Sequence, residues 1–285
     1  MKTKKNNKFN LSNCSPNKNR SFKNTCYNDE DLLKLRSSWN KRHPDKKITS
    51  KNSREIWKQL KNHMSSICKT EMCWLKQEFI KKNLSNDLIN YTFAPFSPKS
   101  WNKNINEWLS SMDISNVMKQ YEKADEKFIF LGPSPIDFDK IKNGSCIWPE
   151  ICKFNLNNII KRNHSKIGFI FNTDPHFLDG SHWISLFVDL KKEEILFFDS
   201  VGDKCPNEID KLINRIIEQG KELNIHFKRI DNKKKHQKSN TECGMYSLYF
   251  IIENIKNNFS KENFKNRISD ENMESFRKIY FNSKK

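Results

Sequence analysis

Long apolar runs are missing from this sequence. Its 285 residues are 35% hydrophobic and 30% charged, and no stretch approaches the roughly 18 apolar residues of a membrane span. The basic start, MKTKKNNKFNLSNCSP, has no apolar core of the kind that marks a secretory signal, so export by that route is not expected. Acidic residues are absent from positions 1–28, which hold seven Lys or Arg among many Asn and Ser. Such a stretch reads as a mobile basic segment. With no leader, the eight cysteines are expected to be reduced thiols. A zinc site is not expected: Cys68 and Cys73 with His63 fit no common spacing, and no second ligand pair follows. No motif calls for a cofactor, and there is no internal repeat. Glycine is also scarce, with seven in the chain.

Basic residues, by contrast, are plentiful. Fifty-two Lys and Arg against 34 Asp and Glu give a net charge of +18. A field of that sign attracts polyanions and acidic partners. The plainer account is a chain rich in Lys, Asn and Ile, as AT-rich coding produces, with its lysines dispersed over a solvated surface. Nonspecific DNA or RNA contact through the basic N-terminal segment is therefore an expectation, not a purpose.

Periodicity divides the remainder. NDEDLLKLRSSW opens with a cap at Asn28, SREIWKQLKNHM places Ile56, Trp57, Leu60 and Met64 on one face behind Ser53, and CWLKQEFIKKN continues helically. Residues 29–94 read as a helical arm domain. FAPFSPKSW is the punctuation, and residues 95–285 read as a second domain. There SNVMKQYEKAD is a helix and KFIFL a strand stopped by Gly132-Pro133. ICKFNLNNIIKR follows as helix, with KIGFIF, HWISLFVDL, EILFFDS and NIHFKRI as strands. NEIDKLINRIIEQG, capped by Asn207, CGMYSLYFIIENI and SDENMESFRKIYF complete the helices. Strands and helices mixed without strict alternation predict an α+β fold.

In a chain with so little glycine, Cys243-Gly244 at the head of an apolar helix stands out. Thr241 or Asn240 can cap that helix, and a cysteine in its first turn faces the positive end of the peptide dipoles, which favours thiolate. Gly244 leaves room for a substrate backbone. His182 opens HWISLFVDL, and a tight reversal around Leu190 and Lys191 would set it opposite Asp199, seventeen residues on. That pair fixes an imidazole and supports its protonated form. Gln237, six residues before Cys243, can direct its NH2 at a developing oxyanion, with the Cys243 backbone N–H as companion donor. Singly, each has a duller reading: a core thiol, a hydrogen-bonded histidine, a turn-forming aspartate, a solvated glutamine. Together and in this order they describe a thiol acyl-transfer site.

The order His182-Trp183, Asp199, Gln237, Cys243-Gly244 resembles the Ulp1-like SUMO protease and adenovirus-type cysteine protease superfamily over roughly residues 128–256. CWLKQEF, INEWLSSMDISNVMKQYE and FIFLGPSPIDFD are similar to its large-DNA-virus branch, that of the African swine fever virus polyprotein-processing protease. In that branch the third member is Asn, whereas Asp199 matches the SUMO proteases. The resemblance implies a papain-related core, a central mixed sheet flanked by helices, carrying the N-terminal helical arm. It makes Cys243 the nucleophile, His182 the base and then acid, Asp199 the orienting group and Gln237 the oxyanion donor. It implies cleavage after Gly-Gly in a viral structural polyprotein during virion maturation, in the host cytoplasm at assembly sites and in the virion. Trp183 would wall a narrow substrate channel, with Gly132 and Pro133 in the turn reaching Asp137 as part of another wall. Removal of SUMO or ubiquitin from host proteins, and nucleic-acid packaging with a vestigial site, are the competing functions.

Overall fold

Two groups of elements emerge from the apolar pattern, in a computed structural model that describes residues 9–16 and 19–283. They form two compact units, one running to Phe96 and taking in Ile279–Ser283, the other Ser97–Lys278.

The first unit holds α1 (Asp29–Arg42), α2 (Ser53–Met64) and the short α3 (Glu71–Trp74), α4 (Glu78–Lys81) and α5 (Asn86–Tyr91). Asn28 caps α1 in a full capping box with Asp31; α2 is capped by Asn52 rather than by Ser53. The core is aromatic. Tyr27 and Trp74 stack at 6.0 Å, Phe93 meets Tyr27 edge-on at 5.5 Å, and Leu32, Leu35, Ile56 and Leu60 fill the space around them. Glu71 is buried here, accepting from Thr25 Oγ1 (2.5 Å), Trp57 Nε1 (2.5 Å) and the Cys26 N–H (3.1 Å).

The described part of residues 1–28 is accordingly not a free basic segment. Tyr27 is fully buried and Cys14 is bonded to Cys26. Asn13 and Asn282 clasp one another. The Asn13 N–H donates to Asn282 Oδ1 (2.7 Å), and Asn282 Nδ2 donates to the carbonyls of Asn13 (2.9 Å) and Ala94 (2.8 Å). Six cysteines are paired, Cys14–Cys26, Cys68–Cys73 and Cys146–Cys152, which corrects the expectation of reduced thiols; Cys205 and Cys243 are free. Spacing alone does not reveal such pairs, because it says nothing about which loops fold back.

After a short 3-10 helix (Lys99–Asn102), the second unit has α6 (Ser111–Ala124) and β1 (Phe128–Pro135), then a small hairpin, β2 (Ile141–Lys142) and β3 (Ser145–Cys146). There follow α7 (Pro149–Cys152), α8 (Leu156–Lys161), β4 (Lys166–Asn172), β5 (Trp183–Asp189), β6 (Glu194–Phe198), α9 (Asn207–Glu222) and β7 (Lys228–Asp231). α10 (Cys243–Ile255), α11 (Lys261–Lys265) and α12 (Asp270–Tyr280) close the chain of elements. The main sheet has the order β1-β4-β5-β6-β7. Its two outer pairs are parallel and its two inner pairs antiparallel, so the sheet is mixed. β1 does not stop at Gly132-Pro133 but continues to Pro135 past a register shift. α9 begins at Asn207, and its N-cap is Pro206, without a side-chain cap hydrogen bond, rather than Asn207 itself.

Alternation along the strands assigns the two faces. Phe169, Phe171, Ile184, Leu186, Ile195 and Phe197 join Ile209, Leu212, Ile213 and Ile216 of α9 in one buried cluster. The opposite face receives α10. Phe198 stacks on Phe250 at 4.9 Å, and a Cβ on Gly168 would come within 3.0 Å of Ile251. That contact brings the first turn of α10 to one end of β5 and β6.

Candidate active site

The β5–β6 hairpin turns through four residues, from Asp189 to its partner Glu194, with Glu193 at φ 52°. This is wider than a tight reversal at Leu190 and Lys191. The ladder ends at Ser185 opposite Phe198, so His182 is not directly across from Asp199. Both lie just past the paired residues, where strand alternation no longer sets their direction. They meet diagonally: His182 Nε2 is 2.7 Å from Asp199 Oδ1.

Asp199 is itself fixed. It is 4% exposed, its Oδ1 also accepts the Val201 N–H (2.9 Å), and its carbonyl accepts Asn232 Nδ2 (2.5 Å). Burial alone would lower the pKa of His182, but hydrogen bonds and charge from Asp199 and Cys243 outweigh it and raise it to about 10. With Nε2 engaged by Asp199, Nδ1 is the nitrogen left for the sulfur.

Cys243 is the first residue of α10 and is 1% exposed. Neither Thr241 nor Asn240 caps the helix: the N-cap position is Glu242, with no side-chain cap hydrogen bond. The first-turn N–H groups are thereby kept from a side-chain acceptor. Gln237 is buried, not solvated. Its Oε1 accepts from Ser200 Oγ (2.6 Å), its backbone N–H donates to the Ser200 carbonyl (2.9 Å), and Nε2 donates to the Ser239 carbonyl (2.7 Å). A carboxamide has two N–H donors, so one remains after Ser239 is served.

The substrate-wall residues divide. Trp183 is buried, donates from Nε1 to the Leu109 carbonyl (2.9 Å), and lines a cleft of about 710 Å³ together with Trp108, Pro133, Ser134 and Trp148. Gly132 is outside that lining. Its bareness serves the sheet, since at φ +147° a Cβ would sit 2.9 Å from the Ile170 carbonyl oxygen. The room beside Gly244 is not open to substrate either. Leu109 occupies it, and a Cβ on Gly244 would lie 3.0 Å from Leu109 Cβ.

Three further residues contribute. Trp108 stands in INEWLSSMD, a segment whose period marks no single indole. Ser200 follows Asp199 at a strand end and bonds Gln237, a contact that no local pattern announces. Arg277, whose guanidinium reaches Glu242, carries no local signal at all.

Residues 153–285, which contain His182, Asp199, Gln237 and Cys243, match the Ulp1 protease family, C-terminal catalytic domain. A protein of Acanthamoeba polyphaga mimivirus named as a thiol protease is 27% identical over 95% of this chain and 93% of its own. The SUMO-1 cysteine protease of African swine fever virus is 26% identical over 75% of this chain and 82% of its own. The crystal structure of a swine fever virus protease superposes with a TM-score of 0.68 at 21% identity, covering 95% of this chain and 96% of that one, which establishes the shared fold.

Proposed function

We propose that the protein is a viral endopeptidase that cuts a structural polyprotein after Gly-Gly as virions mature. The observation that carries this reading is the His182–Asp199 bond of 2.7 Å beside a free cysteine at a helix N-terminus. The Cys243 thiolate attacks the carbonyl carbon of the second glycine. The oxygen of the tetrahedral adduct takes hydrogen bonds from Gln237 Nε2 and the Cys243 N–H. Protonated His182 gives its proton to the departing amine, leaving a thioester on Cys243. His182 then takes a proton from water, the hydroxide displaces the sulfur, and the thiolate and protonated ring that began the cycle are regenerated. Asp199 keeps the ring in one tautomer throughout.

Support for Gly-Gly comes from Trp183, which follows His182 in the chain and lines a cleft with Trp108; indole walls of that kind favour residues without side chains. Its workplace in this reading is the assembly site in the host cytoplasm and the virion itself. Incubation with a Gly-Gly polyprotein fragment tests the reading: wild type should cleave at Gly-Gly, and identical patterns from wild type and Cys243→Ala would end it.

The name of the swine fever virus relative, a SUMO-1 cysteine protease, favours a second reading as an isopeptidase on SUMO or ubiquitin conjugates. Turnover of a capsid precursor with both conjugates left intact would exclude it. Nucleic acid is a further candidate partner. Residues 1–96 hold 21 Lys and Arg against 8 Asp and Glu, so 13 of the 18 net charges sit in a third of the sequence. DNA affinity that falls steeply with salt is the expected signature.

A further inference from the structure

The residue before the nucleophile is a buried carboxylate. Glu242 is 1% exposed and is met by Arg277 of α12, also 1% exposed. Arg277 Nε lies 2.9 Å from Oε2 and 3.2 Å from Oε1, and Nη2 lies 3.0 Å from Oε1. Nη2 also donates to the Thr241 carbonyl (3.3 Å), and the guanidinium carbon sits 4.6 Å from the centre of the Trp101 ring. Removing two charges from water is costly, and an apolar pair would pack this site at least as well. The pair therefore calls for a reason other than stability.

Chemistry supplies one. A carboxylate next to Cys243 opposes a thiolate there and, if turned inward, would take the first-turn N–H groups of α10 as a cap. The guanidinium offsets its charge and holds it away from those N–H groups, consistent with the absence of a side-chain cap on α10. The other charged groups around this turn are His182 with Asp199 from the ends of β5 and β6, and Glu274 of α12. Asp270 and Arg267 lie about one turn further on, at Tyr246. Arg277 is the cation bonded to Glu242.

We propose that Arg277 is a positioning residue for the thiol chemistry. Through Glu242 it keeps the first turn of α10 available to a negatively charged Cys243 sulfur and to the oxyanion. The inference rests on Cys243 being the nucleophile.

The test uses the full chain in a Cys205→Ser background, so that Cys243 is the remaining free thiol. Iodoacetamide alkylation is followed against pH, and Gly-Gly peptide cleavage is measured alongside. Arg277→Met should move the alkylation profile up by about one pH unit, close to tenfold slower at pH 7, with kcat falling more than KM rises. Glu242→Gln, nearly isosteric, should move it the opposite way. The double variant should return it towards wild type. Should Arg277→Met not fold, the downward shift of Glu242→Gln decides alone. Profiles that stay fixed while melting temperature and activity fall together would overturn the inference and leave a merely structural ion pair. Cleavage that survives Cys243→Ala would instead bring down the protease assignment of this site.

Discussion

His182 Nε2 and Asp199 Oδ1 stand 2.7 Å apart although the strand register does not set the two residues opposite one another. What holds them is the anchoring of Asp199 by Val201 and Asn232. Asp199→Ala should lower kcat/KM for a Gly-Gly peptide by about 10²–10⁴-fold. Asp199→Asn, which keeps an acceptor oxygen, should lose less. Equal losses would assign the effect to charge and not to orientation of the ring.

The same pair makes stability depend on pH. His182 is raised to about 10 in the fold from an ordinary value near 6.5. A raised value means the protonated ring contributes fully below about pH 6.5 and the contribution is lost as pH rises through about 10. Urea midpoints of the wild type should fall across that window, and those of His182→Ala should fall less. Parallel curves for the two proteins would contradict the linkage.

Gln237 and Ser200 form a graded pair. In the proposed mechanism Gln237 is an oxyanion donor, so Gln237→Ala should reduce kcat by about 10²–10³-fold, equivalent to about 2.7–4 kcal/mol, with KM little changed. Ser200→Ala leaves the amide in place but frees its Oε1 from the 2.6 Å bond that orients it. Its loss in kcat should be smaller and in the same direction. A Ser200→Ala defect larger than that of Gln237→Ala would refute this order of roles.

Gly244→Ala tests the packing beneath the cleft. The added methyl would press on Leu109, whose carbonyl holds the Trp183 indole. Moving that carbonyl should disturb the cleft wall before the thiol chemistry, so KM should rise several-fold with kcat much less affected. Loss confined to kcat would instead put Gly244 in the chemical step.

Legibility in the sequence followed from how local each signal was. The strands β1, β4, β5 and β6 and the helices α1, α2, α9, α10 and α12 announce themselves by period, because each buries one face or all of itself. His182, Asp199 and Cys243 could be read because each sits at the edge of such an element, whereas Gln237 lies in the loop between β7 and α10 and is marked by its spacing from Cys243. Their convergence could not be read in detail: the four-residue hairpin turn shifted the register, and only side-chain reach restored the His182–Asp199 contact. ICKFNLNNIIKR became two short helices, α7 and α8, since Phe154 and Asn155 break the run and Asn155 caps the second. Arg277 and the paired cysteines depend on contacts between distant or reversing segments, for which composition and period carry no mark.

The clasp between Asn13 and Asn282 has a consequence for how the molecule is made. A ribosome delivers the chain in order, and domains otherwise close as they emerge. Here one half of a partly buried polar clasp is translated early and must wait for a partner 269 residues further along the chain. The helical unit at the front of the sequence should therefore be the later of the two to reach its finished state, and its completion should be sensitive to truncation just before Asn282.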